Sequence, residues 1–141
     1  MSTGEVTIRD CRREDVASVL ALWAASPAAP TPTDTPEDLE RAVSEPGLEF
    51  LVAESNGEIT GTIIGGFDGW RGSIYRLTVA EQYQRQGIGR ALLEEVKARF
   101  ALNGVKVVGA YVRKDHPWAL DYWDSVGFKL DERFVIFMHR M

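Results

Sequence analysis

Gln84-Arg85-Gln86-Gly87-Ile88-Gly89-Arg90-Ala91 is the stretch whose reading decides the fold. It follows a short apolar strand, Ile74 to Val79, and opens a helix predicted to run to about Leu102. Two glycines separated by one residue at a helix start let another group approach the backbone. At that position the first N–H groups lack intrahelical partners and the helix dipole is positive, so the natural occupant is an anion. Arg85 and Arg90 add charge to the same spot. The stretch therefore reads as a pyrophosphate cradle, with its ligand lying along the preceding strand. A dinucleotide fingerprint would need a third glycine after two intervening residues, where Leu92 stands, and a Walker-type loop would need Gly-Lys-Ser/Thr. Both are excluded locally.

Outward from the cradle, the order of elements can be read in both directions. Val6-Thr7-Ile8 alternates as a half-buried strand does. Asp10 is placed to cap a following helix whose apolar stripe is Val16, Val19, Leu20 and Trp23. That helix stops near Ser26-Pro27, and the chain to Pro36 is too rich in proline for a helix or sheet interior. This segment is either a plain surface connection or a wall over a ligand cleft. Thr35-Pro36-Glu37-Asp38 supplies a cap, a proline at the first helical position and an acidic first turn for a helix to about Ser44. Glu49–Glu54 and Glu58–Phe67 read as strands joined by Asn56-Gly57, a dipeptide favoured in type I′ hairpins. Gly65-Gly66 suggests a bulge or the close approach of another backbone.

After the cradle, Ile88, Ala91, Leu92, Val96 and Phe100 mark a buried helical face, and Asn103-Gly104 a left-handed stop. Val105–Val112 is a nearly continuous apolar strand, expected to lie parallel to the strand before the helix through a right-handed crossover. Asp115-His116-Pro117 starts another helix, with Gly127 just past its end. Phe128–Leu130 and Phe134–Met138 read as a closing pair of strands.

The bulk numbers fit this picture. A chain of 141 residues suits one domain, 1–141, and a chain of that size buries roughly two-thirds of its unfolded surface without disulfides or metal. A net charge of −5 argues against a sequence-independent nucleic-acid partner, which needs a basic face. No apolar run approaches the roughly 20 residues that span a bilayer, so no membrane partner is expected. Cys11 is the single cysteine, which favours a reducing compartment, and Met1–Glu5 carries no secretory signal. A cytoplasmic location is the expectation.

The order β-α-α-β-β-β-α-β-α-β-β, with Leu77-Thr78-Val79 leading into Gln84-Arg85-Gln86-Gly87-Ile88-Gly89, resembles the GNAT superfamily of acyl-CoA-dependent N-acetyltransferases. A second match is His116-Pro117-Trp118-Ala119, then Tyr122-Trp123 and Gly127-Phe128. The segment Gly65–Ser73 further resembles a bacterial YpeA-like subgroup. The resemblance implies an α/β (α+β) fold with a mostly antiparallel mixed sheet of six to seven strands. Helices would cover both faces, and the sheet would splay between the fourth and fifth strands.

By the same resemblance, acetyl-CoA is the acyl donor and an amine of a small molecule, peptide or protein is the acceptor, with direct transfer in a ternary complex. Leu77, Thr78 and Val79 would hold the thioester and pantetheine through main-chain groups, and the pyrophosphate would take N–H groups from Arg85, Gln86, Gly87, Ile88, Gly89 and Arg90. Relatives pair through C-terminal strands, and Phe134–Met138 is apolar enough to allow a homodimer.

Proton handling is where this chain departs from the pattern. Trp123 stands where the family has a tyrosine acid, and an indole N–H cannot serve as one. Tyr122, turned by about 100° on the helix, either replaces it or belongs to the core. Relatives acting on ribosomal-protein termini carry a Glu base where Tyr111 stands and an Asn where His116 stands. His116 either begins a helix, contacts the acyl-CoA or relays a proton. Tyr122, His116 and Tyr111 are thus the candidate catalytic residues. Tyr75 and Glu81 are further polar candidates. Asp68, Trp70 and Arg71 either line the acceptor side or form a turn, and Cys11 reads as packing. The alternative to an enzyme is a catalytically impaired acyl-CoA-binding sensor or interaction module.

Overall fold

A computed structural model describes residues 5–27 and 30–141 of the chain. Residues 1–4, on which the reading of the N-terminus largely rests, and Ala28-Ala29 of the proline-rich stretch lie outside the described residues. The chain divides into two compact units, Met1–Tyr111 and Val112–Met141.

The first unit is built on five strands in the order β1-β2-β3-β4-β5. They are β1 (Val6–Asp10), β2 (Leu48–Ser55), β3 (Glu58–Phe67), β4 (Gly72–Val79) and β5 (Val108–Ala110). The first three pairings are antiparallel and the last is parallel. Asn56 and Gly57 have φ of 52° and 78°, the left-handed pair that a tight hairpin twisting with its strands requires.

The helices are α1 (Val16–Ala24), α2 (Pro36–Ser44) and α3 (Ile88–Leu102). Alternation along β3 assigns them to opposite faces of the sheet. A Cβ at Gly61 would meet Ile88 and Leu92, and one at Gly65 would meet Val96 and Phe100, so odd-numbered positions face α3. Thr62 instead takes the indole N–H of Trp23 from α1 at 2.9 Å. On that side Val16, Val19, Leu22 and Trp23 of α1 pack with Leu39 of α2 and with Phe50 and Val52 of β2. Thr35 caps α2 by accepting the Asp38 N–H at 3.1 Å, with Pro36 in its first turn. Among the described residues no helix is long and apolar enough to cross a membrane.

Several expectations are corrected. Asp10 does not cap α1; it ends β1 and receives Arg99 at 2.6 Å. Asp15 does the local work, accepting the Arg12 N–H at 2.8 Å and both terminal nitrogens of Arg9. Gly65-Gly66 is neither a bulge nor a backbone approach, because α3 lies so close that only hydrogen fits at Gly65. Ala91 is exposed and Leu93 is buried in its stead. Of Val105–Val112 only Val108–Ala110 forms a ladder.

Among the described residues five strands form, not six to seven, because Phe128–Leu130 and Phe134–Met138 make no ladder. Apolar composition records how well a residue suits a pleated surface, and a strand also needs a partner to bond. Within residues 112–141 the only regular element is α4 (Pro117–Ser125). The chain between the two apolar runs is instead a turn, in which Asp131 accepts the Arg133 N–H and guanidinium.

Candidate functional site

β4 is irregular, and its irregularity makes the site. Ile64 opposes Tyr75 and Thr62 opposes Thr78, so β4 spends one more residue than β3 between these pairs. Arg76 absorbs the excess with φ of 54°, a left-handed conformation that costs a side-chain-bearing residue about 1–2 kcal/mol. The extra residue places Thr78, rather than Leu77, against Thr62. Ala80 donates to the Thr60 carbonyl at 2.8 Å. By alternation, the N–H groups of Leu77 and Val79 then point away from β3. The ladder to β5 covers only Gly72, Ser73 and Ile74, closed by Tyr111 N–H to the Ile74 carbonyl at 3.3 Å. Tyr75–Val79 therefore presents an edge that β5 does not pair.

A single 3-10 turn, Glu81–Tyr83, carries this strand into the cradle. Tyr83 donates to Glu58 at 2.8 Å, and the Gln84 amide nitrogen returns to the Val79 carbonyl at 3.1 Å. Arg85 has φ of 64° and Gly87 of 84°, with Gln86 between them. Such alternation of hand turns successive N–H groups toward one side, as an anion-binding nest does. Gly87 is the N-cap of α3 and no side chain caps it; no carboxylate stands in the first turn. The positive helix end is uncompensated, with Arg85 and Arg90 exposed beside it. Ile88 is buried and anchors this turn beneath Gly61.

On the opposite face, Arg76 lies over the Trp23 ring at 4.6 Å and pairs with Asp34 from the α1–α2 segment. Burial alone would raise the Asp34 carboxyl, but hydrogen bonds from Thr31 and Arg76 hold it below the usual carboxylate range. Tyr75 and Tyr111 stack at 4.9 Å. Electrostatic coupling and a hydrogen bond with the adjacent Tyr75 phenol push the Tyr111 phenol upward from its ordinary value, which favours its protonated form.

Asp68 accepts the N–H groups of Trp70 and Arg71 at 2.8 Å each, and Arg71 lies over the Trp70 ring at 4.4 Å. This loop is a closed turn at the far end of the sheet from the cradle. Since α3 has 15 residues, its two ends are about 22 Å apart. An open depression of about 410 Å³ there is lined by Trp70, Arg71, Asn103 and Lys106. Glu81 is exposed in the turn before the cradle.

In the second unit His116 is the N-cap of α4. Its carbonyl accepts from Ala119 at 2.9 Å, and its ring stacks on Trp118 at 5.3 Å. Asp115 turns to Arg113 at 2.6 Å and lies 4.0 Å from the imidazole. Tyr122 meets Trp123 edge-on at 5.8 Å, and Trp123 meets Phe128 at 4.8 Å.

The family model for GNAT acetyltransferases matches residues 16–128. The chain belongs to the GNAT acetyltransferase family. Its fold is shared with solved structures of low sequence identity. A transcriptional regulator from Bacillus halodurans C-125 aligns at TM-score 0.84 and 22% identity, over 96% of this chain and 100% of that one. The aminoglycoside N-acetyltransferase AAC(6')-Iy in complex with CoA aligns at 0.82 and 15%, over 99% and 98%. The PaiA N-acetyltransferase of Thermoplasma acidophilum, in complex with coenzyme A, aligns at 0.81 and 18%, over 91% and 92%.

In this GNAT chain sequence reasoning missed Asp34, Thr62 and Arg76, and placed Trp23 only in the apolar stripe of α1, without its contacts to Thr62 and Arg76. One signal was available: Arg76 is the lone charge inside the run Ile74–Val79. Cys11, by contrast, behaves as packing. It is buried, and that burial pushes its thiol up to about 12. At pH 8 its thiolate is on the order of a thousandfold scarcer than that of a free cysteine. Native protein should therefore resist iodoacetamide at pH 8 over hours and react within minutes in denaturant. Rapid native alkylation, read by mass spectrometry, would contradict the burial.

Proposed function

We propose that the chain is an acetyl-CoA-dependent N-acetyltransferase that acts as one domain over residues 1–141, the family match running through both units. The observation that carries this is the pairing of an uncapped α3 start, bearing Arg85 and Gly87 in left-handed conformation, with the edge Tyr75–Val79 just before it, which β5 does not pair. A linear ligand with a diphosphate at one end and an amide-bearing arm at the other meets matching donors on both. The CoA complexes among its structural neighbours support the same ligand.

Bound acetyl-CoA supplies the acyl group as a thioester: the amine forms the C–N bond, the C–S bond breaks, and the sulfur leaves as a thiolate. The Leu77 N–H is aimed at the edge where the acyl oxygen would lie, and a fixed donor there stabilises the charge that develops on it. Val79 holds the pantetheine arm and Arg85–Arg90 the diphosphate, so most of the acceleration comes from positioning. The acceptor is a primary amine that must arrive neutral. Its proton leaves through water and the thiolate is protonated from solvent, unless His116 and Tyr122, the candidates from the resemblance, take these two tasks. Tyr111, held protonated, serves as a donor to the acyl site rather than as a base. Gly65–Ser73 supports placement near the YpeA-like subgroup, and a cytoplasmic enzyme fits the lone buried cysteine.

A second reading, an acyl-CoA sensor without turnover, is favoured by one feature: Trp123 occupies the position at which the resemblance expects an acid. One experiment separates the two. Acetyl-CoA is titrated calorimetrically, and thiol release is then followed with polyamines, amino acids, aminoglycosides and peptides. Saturable binding with release for one acceptor class is the expected result. Binding without release across the panel establishes the sensor, and absence of binding overturns both.

A further inference from the structure

Arg76 is held at both ends. Its side chain is only 14% exposed, and its guanidinium pairs with Asp34, whose side chain is 16% exposed. The same guanidinium lies on the Trp23 indole, whose N–H donates to Thr62 Oγ1 at 2.9 Å. The Thr62 hydroxyl in turn donates to the Arg76 carbonyl at 2.9 Å. A closed circuit thus runs from the side chain of the bulge residue, through α1 and β3, back to its own main chain. Asp34 is also fixed from behind, by the Thr31 hydroxyl at 2.7 Å and the Thr31 N–H at 3.3 Å.

A largely buried ion pair contributes little net stability compared with an apolar pair of the same shape, because desolvation offsets its attraction. What it does supply is direction: a planar fork bonded to a carboxylate and stacked on an indole has one orientation. Here that orientation is imposed on the one residue whose left-handed backbone decides which β4 N–H groups reach the unpaired edge.

We propose that Asp34 and Arg76 are positioning residues forming a latch, by which the α1–α2 segment sets the geometry of the β4 bulge and so the aim of the Leu77 N–H. This rests on the reading of Leu77–Val79 as the acyl site. The latch makes the Thr31–Asp34 turn part of the site's machinery: displacing Asp34 releases the bulge.

The test uses Asp34→Asn, Arg76→Met and Arg76→Lys in ¹⁵N-labelled protein. Without any ligand, Asp34→Asn should move the Leu77 and Val79 amide resonances more than those of Asn103 and Gly104 at the far end of α3. In turnover, Asp34→Asn and Arg76→Met should lower kcat at least tenfold with KM for acetyl-CoA within twofold, and Arg76→Lys should recover part of the loss. Unmoved Leu77 and Val79 amides overturn the latch, as does unchanged kcat in a wild-type protein that turns over. If the wild-type protein neither binds acetyl-CoA nor releases thiol, the functional reading falls, and the amide shifts still decide whether Asp34 controls the bulge. Should Asp34→Asn fail to fold, Thr31→Val, which frees Asp34 Oδ1, is read in the same way.

Discussion

Gly89→Glu is expected to abolish acetyl-CoA binding while leaving the protein folded. Gly89 lies in the first turn of α3, one residue past Ile88, where the helix presents its unpaired N–H groups. An acidic side chain there suits the helix dipole and stabilises an exposed helix start by roughly 0.3–1 kcal/mol. Loss of binding could therefore not be blamed on unfolding. The ligand's diphosphate would instead face a carboxylate. At about 4 Å and an effective dielectric near 20 the repulsion is about 4 kcal/mol, or roughly a thousandfold in affinity. Calorimetry should find no saturable binding, with a thermal midpoint equal to or above that of wild type. Affinity within tenfold of wild type would remove the cradle from the site.

The second large effect concerns stability. A methyl group at Gly65 would lie 2.7 Å from Val96 Cγ1 and 3.0 Å from Phe100 Cζ, both side chains being buried. Phe100 also covers Gly72 on the next strand, at 2.9 Å from where a Cβ would stand there. The ring thus meets glycines on two neighbouring strands and cannot yield toward either. Overpacking of this kind costs about 1–3 kcal/mol for the smallest intrusion. Gly65→Ala should lower the urea midpoint accordingly. Gly65→Leu should exceed the marginal stability of a domain this size and accumulate as insoluble protein. An alanine variant as stable as wild type would mean that α3 stands farther from the sheet.

Much of the frame was legible because its signals are local. Thr35-Pro36, Asn56-Gly57, Asn103-Gly104 and Gly127 punctuate the chain by backbone preference alone, and each falls where the structure turns or caps. The turn into α3 was legible for the same reason, since Gly87 adopts the left-handed conformation that its residue type permits at little cost. What escaped reading depends on partners distant in sequence. Asp34 and Arg76 are 42 residues apart, and no periodicity links them. Asp10 satisfied every local rule for a cap, yet Asp15 formed the local contacts while Asp10 met Arg99 across 89 residues. Gly65-Gly66 read as a bulge or the approach of another backbone, whereas what comes close at Gly65 is the side chains of Val96 and Phe100. Phe134–Met138 announced a strand, but a strand is a relation between two segments, and composition describes only one.

The order of the sheet bears on how the chain is made. The strands lie side by side in the order in which they are synthesised, so all four pairings join consecutive strands. Each later strand can add to a neighbour already present, which keeps loop-closure entropy small for the two hairpins and larger for β1–β2 and β4–β5. Joining β4 to β5 is different, since all of α3 must be in place before the two can run parallel. The bulge at Arg76 and its circuit through Trp23 and Thr62 need nothing beyond residue 79. The irregular part of β4 can therefore be complete while α3 is still emerging.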